Sequence, residues 1–160
     1  MLNYDFKMVN ALIVEDQDLM RHLLVGILKQ FGLNRVVDAS NGQAAIDALH
    51  HFQPDVIFTD YMMEPINGFQ LIKMIRAGET PAERFVPIVL VTAYTTTREI
   101  MQARDLGATE FLAKPISARL VYLRLRSIIE HPRMYVSAGK FFGPDRRRRE
   151  LDEITSNRRK

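Results

Sequence analysis

Residues 58–69 read FTDYMMEPINGF and follow the apolar run PDVIF, so Asp60 stands where a buried strand ends and a loop with Pro65 and Gly68 begins. Three other stretches place chemically capable side chains in the same setting: Glu15 and Asp16 in LIVEDQD, Thr92 and Ala93 in VLVTAY, and Lys114 and Pro115 in FLAKPI. Each alone has an ordinary reading. An acid after a strand is often the N-cap of the next helix, which Asp16 or Asp18 could be; threonine is a good β-former, and lysine is usually solvated. Those readings do not explain why three acids, a hydroxyl and a lysine all follow strands, while strand starts carry ordinary residues such as Arg35 and Pro87. Brought together, three carboxylates repel one another and need a cation. Oxygen donors without His or Cys nearby suit Mg2+, which is commonly held by one or two carboxylates with waters and a phosphate. A carboxylate beside a metal and a lysine is an arrangement for phosphoryl transfer, with Asp60 as the nucleophile.

The elements that must position these residues are legible as alternating patterns. Short apolar runs rich in β-branched residues recur at Ala11–Val14, Val36–Ala39, Asp55–Thr59 and Val86–Val91, with a weaker fifth at Thr109–Ala113. Between them lie helical periodicities, such as Leu19, Leu23, Ile27 and Phe31, or Ala45, Ile46 and Leu49 closing at His50, or Phe69, Ile72 and Ile75. Continuous apolar strands joined by helices predict a parallel sheet covered on both faces, an open doubly wound α/β fold. Such folds carry their chemistry outside the carboxyl ends of the strands.

Composition narrows the function classes. The 160 residues are 47% hydrophobic and 26% charged, enough for one domain with a core. With no cysteine, disulfides and thiolate metal sites are excluded, and the first residues lack a signal-peptide pattern, which points to the cytoplasm. No apolar run approaches the ~18 residues of a membrane span. The net charge of +3 is uneven: residues 1–130 carry 13 Lys and Arg against 15 Asp and Glu, residues 131–160 carry 9 against 4.

In order and spacing these motifs resemble the receiver domain of two-component response regulators, the CheY-like family, over about residues 9–130. The resemblance implies a flavodoxin-like five-stranded parallel sheet of five βα units, strand order 2-1-3-4-5, with residues 1–8 as an N-terminal extension and 131–160 as an aromatic and basic tail. It further implies that Asp60 is the phosphoacceptor, and that Mg2+ is bound by Asp16, Asp60 and the backbone carbonyl of Met62, with Glu15 acting largely through water. Lys114 pairs with the acceptor carboxylate and then with the phosphoryl group. Thr92 and Phe111 form the switch, Lys114–Pro115 is cis, and Met62 and Tyr94 flank the water path that sets phosphoryl lifetime. The donor is a histidine kinase or a histidine phosphotransfer protein. Output runs through the fourth helix, fifth strand and fifth helix, with Tyr94, Arg98, Arg104, Arg119 and Tyr122 on that surface and a homodimer compatible with it. Such a protein is a regulated binder rather than an enzyme, with self-dephosphorylation as its only hydrolysis.

Two departures from the family pattern stand out: Glu64 occupies the place where proline is usual, the proline being Pro65, and the acidic pair is Glu-Asp rather than Asp-Asp. A haloacid dehalogenase phosphatase needs a second aspartate two residues after the nucleophile, and a Toprim enzyme an Asp-x-Asp pair; Met62 occupies that place. The alternative from another class is nucleic-acid binding through the arginine-rich GPDRRRRELDEITSNRRK, against the plainer reading of a solvated basic tail. In HPRMYVSAGKFFGPD, Tyr135, Phe141 and Phe142 are costly to leave in water, which predicts packing on the domain or on a partner.

Overall fold

The protein is described by a computed structural model covering residues 4–93, 96–132, 135–138 and 141–144. Five βα units follow one another: β1 (Asn10–Val14), α1 (Asp18–Gln30), β2 (Arg35–Ala39), α2 (Gly42–Leu49), β3 (Val56–Asp60), α3 (Gly68–Arg76), β4 (Ile88–Thr92), α4 (Thr97–Leu106), β5 (Glu110–Ala113) and α5 (Ala118–Glu130). The five strands are parallel in the order β2-β1-β3-β4-β5. The alternation of patterns predicts the parallel α/β sheet, and this order is the flavodoxin-like one that the family resemblance implies.

Every residue of β3 and β4 is buried because helices cover both faces of the sheet. The period of two along each strand divides the core between those faces. Leu12, Val14, Ile57, Ile88 and Leu90 join Leu49, Phe69, Ile72 and Ile75 of α2 and α3 on one side. On the other, Ala11, Ile13, Phe58, Val89 and Val91 meet Leu24, Ile27 and Leu28 of α1 and Val121 and Leu125 of α5.

Helix starts follow local chemistry. The side chains of Asn41, Asn67, Thr96 and Ser117 accept hydrogen bonds from backbone N–H groups in the first turns of α2, α3, α4 and α5, and Asn67 forms a capping box with Gln70. The residue before α1 is Gln17, which makes no side-chain cap. Neither Asp16 nor Asp18 caps that helix, so the ordinary reading of these acids fails.

Two expectations need correction. The buried stripe of α1 is Leu24, Ile27 and Leu28, whereas Leu19 and Leu23 of the predicted face are 84% and 47% exposed. Both sets obey helical spacing, and the register of the helix on the sheet selects between them. Tyr122 is not on the surface of α4, β5 and α5. It lies in the opposite core, edge-on to Phe6 and Phe31 with ring centroids 6.0 Å apart in each pair. The segment before β1 packs on the domain. Phe6 is 1% exposed, Tyr4 stacks on it, and the Tyr4 hydroxyl donates to Glu130 at the end of α5.

Beyond α5, Tyr135–Ala138 (β6) and Phe141–Pro144 (β7) form an antiparallel hairpin, and β7 lies against α4. Residues 145–160, including the arginine run, lie outside the described residues.

Phe6→Ala removes a fully buried ring whose neighbours come from α1 and α5. The expected loss is about 3–5 kcal/mol of unfolding free energy, read from urea denaturation at unchanged slope.

Candidate functional site

Asp60 is the last residue of β3 and is 6% exposed. Its Oδ1 accepts a hydrogen bond from the Tyr61 N–H at 2.8 Å, which orients the carboxylate at the sheet edge. Gly68 is the residue this edge requires. A Cβ there would sit 2.2 Å from the Asp60 carbonyl oxygen, and the Gly68 N–H donates to the Tyr61 carbonyl at 2.9 Å, so the loop returns to touch the backbone of Asp60 itself.

Beside β3, β1 runs into Glu15, which is 2% exposed, and Asp16, which is exposed. The Glu15 N–H donates to the Ala39 carbonyl, and the Glu15 carbonyl accepts from Arg21 Nη1 at 2.9 Å. Arg21 also pairs with Asp18 at 2.6 Å and Asp38 at 3.0 Å, so one guanidinium ties the acidic loop to α1 and β2. Sequence reasoning passed over Arg21; the acid at i−3 on the same helix was the available signal. Tyr61 was missed as well, since a backbone donor leaves no side-chain signature.

Lys114 follows β5 across a cis bond to Pro115, and its N–H donates to the Thr92 carbonyl. Its ammonium lies 3.2 Å from Glu15 Oε2 and 3.3 Å from Asp60 Oδ1, with only 14% of the side chain exposed. Carboxylate oxygens of Glu15, Asp16 and Asp60 lie within 4.8 Å of one another. One ammonium faces three carboxylates, and Asp16 has neither hydrogen bond nor ion pair among the described residues. A donor set of hard oxygens with one carboxylate open to solvent fits a divalent cation such as Mg2+.

Thr92 ends β4 at 6% exposure, and Ala93 beyond it is exposed. Thr92 and Phe111 line a small cavity with Tyr61, Phe69, Glu99 and Ile100. The Phe111 carbonyl accepts from Arg124 Nε on α5, and the Tyr61 and Phe69 rings lie 4.2 Å apart. Met62, two residues after Asp60, is 55% exposed, whereas its neighbour Met63 turns into the core. Asp16, Met62, Glu64, Pro65 and Asn67 border an open groove beside the acids. Tyr94 lies outside the described residues. Arg98 and Arg119 are exposed and Arg104 is half-buried.

Burial, and next the neighbouring charge of Asp60, raise the Glu15 pKa to about 7, against the opposing pull of the Gln17 N–H and of Lys114. The consequence for metal-free protein has a definite sign. Below the ordinary value of 4.5 both states hold the proton and no penalty exists; as pH rises to about 7 the unfolded chain releases a proton that the fold retains, so stability falls. In EDTA the melting temperature is expected to drop from about pH 5 to about pH 7.5, and Glu15→Gln to flatten that slope. A variant that kept the wild-type slope would assign the effect to another group.

Comparison with known proteins agrees with this geometry. The response regulator receiver domain family matches residues 11–126. Chemotaxis protein CheY-3 of Vibrio cholerae is 30% identical over 124 residues, spanning 78% of this chain and 94% of that protein. Among solved structures, chemotaxis protein CheY4 of Vibrio cholerae superposes with a TM-score of 0.69 at 26% identity, over 76% of this chain and 98% of that one. The receiver domain of the sensor histidine kinase PA1611 of Pseudomonas aeruginosa, with a magnesium ion coordinated in its active-site cleft, gives 0.67 at 25% identity, over 77% and 98%. With the fold, the acidic edge and the lysine in place, the chain belongs to the response regulator receiver domain family of two-component signalling.

Proposed function

We propose that this receiver is a phosphorylation switch: Asp60 accepts a phosphoryl group from a histidine kinase or a histidine phosphotransfer protein, and the domain then changes its protein contacts. The observation that carries this reading is the Lys114 ammonium, held 3.2 Å from Glu15 and 3.3 Å from Asp60 by residues that end different strands.

In the transfer an Asp60 oxygen attacks phosphorus as the bond to the donor imidazole nitrogen breaks, giving an acyl phosphate and a free histidine. Asp16, Asp60 and the Met62 carbonyl would hold Mg2+, with Glu15 acting through water, and the bound ion would offset charge on the phosphoryl oxygens. Lys114 lies close enough to follow the charge from carboxylate to phosphoryl. Buried beside the site, Thr92 offers a hydroxyl to the same oxygens, and with Phe111 it borders the cavity under α4, which gives the event a route to α4, β5 and α5. Regulated binding is the output, and hydrolysis is confined to loss of its own phosphoryl group. Nucleic-acid binding through the arginine run finds no support in the site.

Transfer of labelled phosphate from a kinase, or from acetyl phosphate, tests the reading. Wild type should label in Mg2+, Asp60→Asn should not, and Asp16→Ala should lose both labelling and metal binding. Undiminished labelling of Asp16→Ala would refute the ligand assignment.

Phosphoryl lifetime is a separate expectation. Met62 and Tyr94 offer no carboxylate or carboxamide to orient an attacking water, and both are large enough to shield the group. Met62→Asn with Tyr94→Glu should speed decay of the phosphoprotein by about ten- to a hundredfold in Mg2+, measured on Phos-tag gels. Equal decay of the double variant and wild type would end the shielding argument.

A further inference from the structure

We infer that the β6–β7 hairpin is an internal occupant of the α4 face, seated in the unphosphorylated chain and displaced when Asp60 is phosphorylated. The inference rests on the phosphoacceptor reading above and on three observations about α4.

The first is that α4 is weakly anchored to its own domain. It buries one side chain, Ala103, whereas α1 and α5 bury three each and α3 five. A helix with so little apolar burial depends on whatever else packs against it. Here α3 lies on one side, and β7, whose last residue Pro144 is buried, on another. The second is the cavity under the first turns of α4. Glu99 and Ile100 of the helix form one wall, and Thr92 and Phe111 form the other. Thr96, four residues after Thr92, caps the helix, so a displacement at Thr92 reaches α4 through a short link and an unfilled space. The third is a polar cost on α4 as it is packed. Arg104 on α4 keeps Nε buried without a hydrogen-bond partner among the described residues, a penalty that exposure to water removes.

Together these describe an element with two packings of similar free energy. A shift of α4 that refills the cavity breaks the register with β7 and frees the α4 face for a partner, and packed interfaces change in such discrete steps. Linkage makes the effect reciprocal: if phosphorylation loosens the hairpin, loosening the hairpin favours the phosphorylated state by the same factor.

Hydrogen exchange on the full chain tests this, with Mg2+ and beryllofluoride as a phosphoryl mimic. Amides of 135–144 are expected to exchange on the order of tenfold faster with the mimic bound, the usual scale of coupling between sites, and Asp60→Asn to show no change. Protection gained at 58–69 with no change at 135–144 would make the hairpin a permanent cover and overturn the inference. No change at 58–69 would overturn the phosphoacceptor reading itself, and this inference with it. In the reverse direction, Pro144→Asp places a charge at the buried end of β7, far in sequence from the site residues. It should unseat the hairpin without ligand and tighten beryllofluoride binding by a similar factor. A released hairpin with unchanged affinity would overturn the coupling.

Discussion

The ammonium of Lys114 against the carboxylates of Glu15 and Asp60 is the contact on which the arrangement turns. Two acids at 2% and 6% exposure cannot both remain ionised without a nearby cation, because the low-dielectric edge that brings them together also strips their water. The compensation is incomplete. Glu15 is still pushed to about 7, and the exposed carboxylate of Asp16 stands close by without a partner among the described residues. A site left short of positive charge is one that a divalent ion can complete, and this shortage separates it from a settled surface salt bridge.

Holding this arrangement requires rigid surroundings. Because β1, β3 and β5 are hydrogen-bonded into one sheet through β4, their carboxyl ends cannot drift apart. Arg21 fixes the acidic loop through the Glu15 carbonyl, and Gly68 lets the loop after β3 close onto the Asp60 backbone. At the opposite end of the sheet the buried Arg76 donates to the carbonyls of Gly107, Arg84 and Val86, tying α3 to the approach of β4 and the turn before β5. The left-handed backbone of Gly107 and the crowding of any Cβ there against Arg76 show how closely that corner is packed. Against this frame α4 is the exception, with a single buried side chain and a cavity beneath it. Rigidity around Asp60 and looseness at α4 mark two ends of the range of local stability within one domain.

The amino-acid sequence by itself determined the alternation of strands and helices, and with it the parallel sheet and the edge where Glu15, Asp16, Asp60, Thr92 and Lys114 gather. Those features are local: continuous apolar runs, helical spacing, and polar residues placed where each run stops. What only the tertiary structure decided were choices between local patterns of equal quality. Leu19 and Leu23 keep helical spacing as well as Leu24, Ile27 and Leu28 do, and the docking of α1 selected the latter. Phe6 and Tyr122, far apart in the chain, became neighbours in one aromatic cluster, which removed Tyr122 from the surface expected for it. The ties of Arg21 and the Tyr61 N–H, the cavity under α4 and the seat of β7 on that helix also join groups distant in sequence or depend on backbone atoms common to all residues. Local spacing reports which face of an element is apolar, but which partner that face meets is set by packing, and packing is a property of the whole chain.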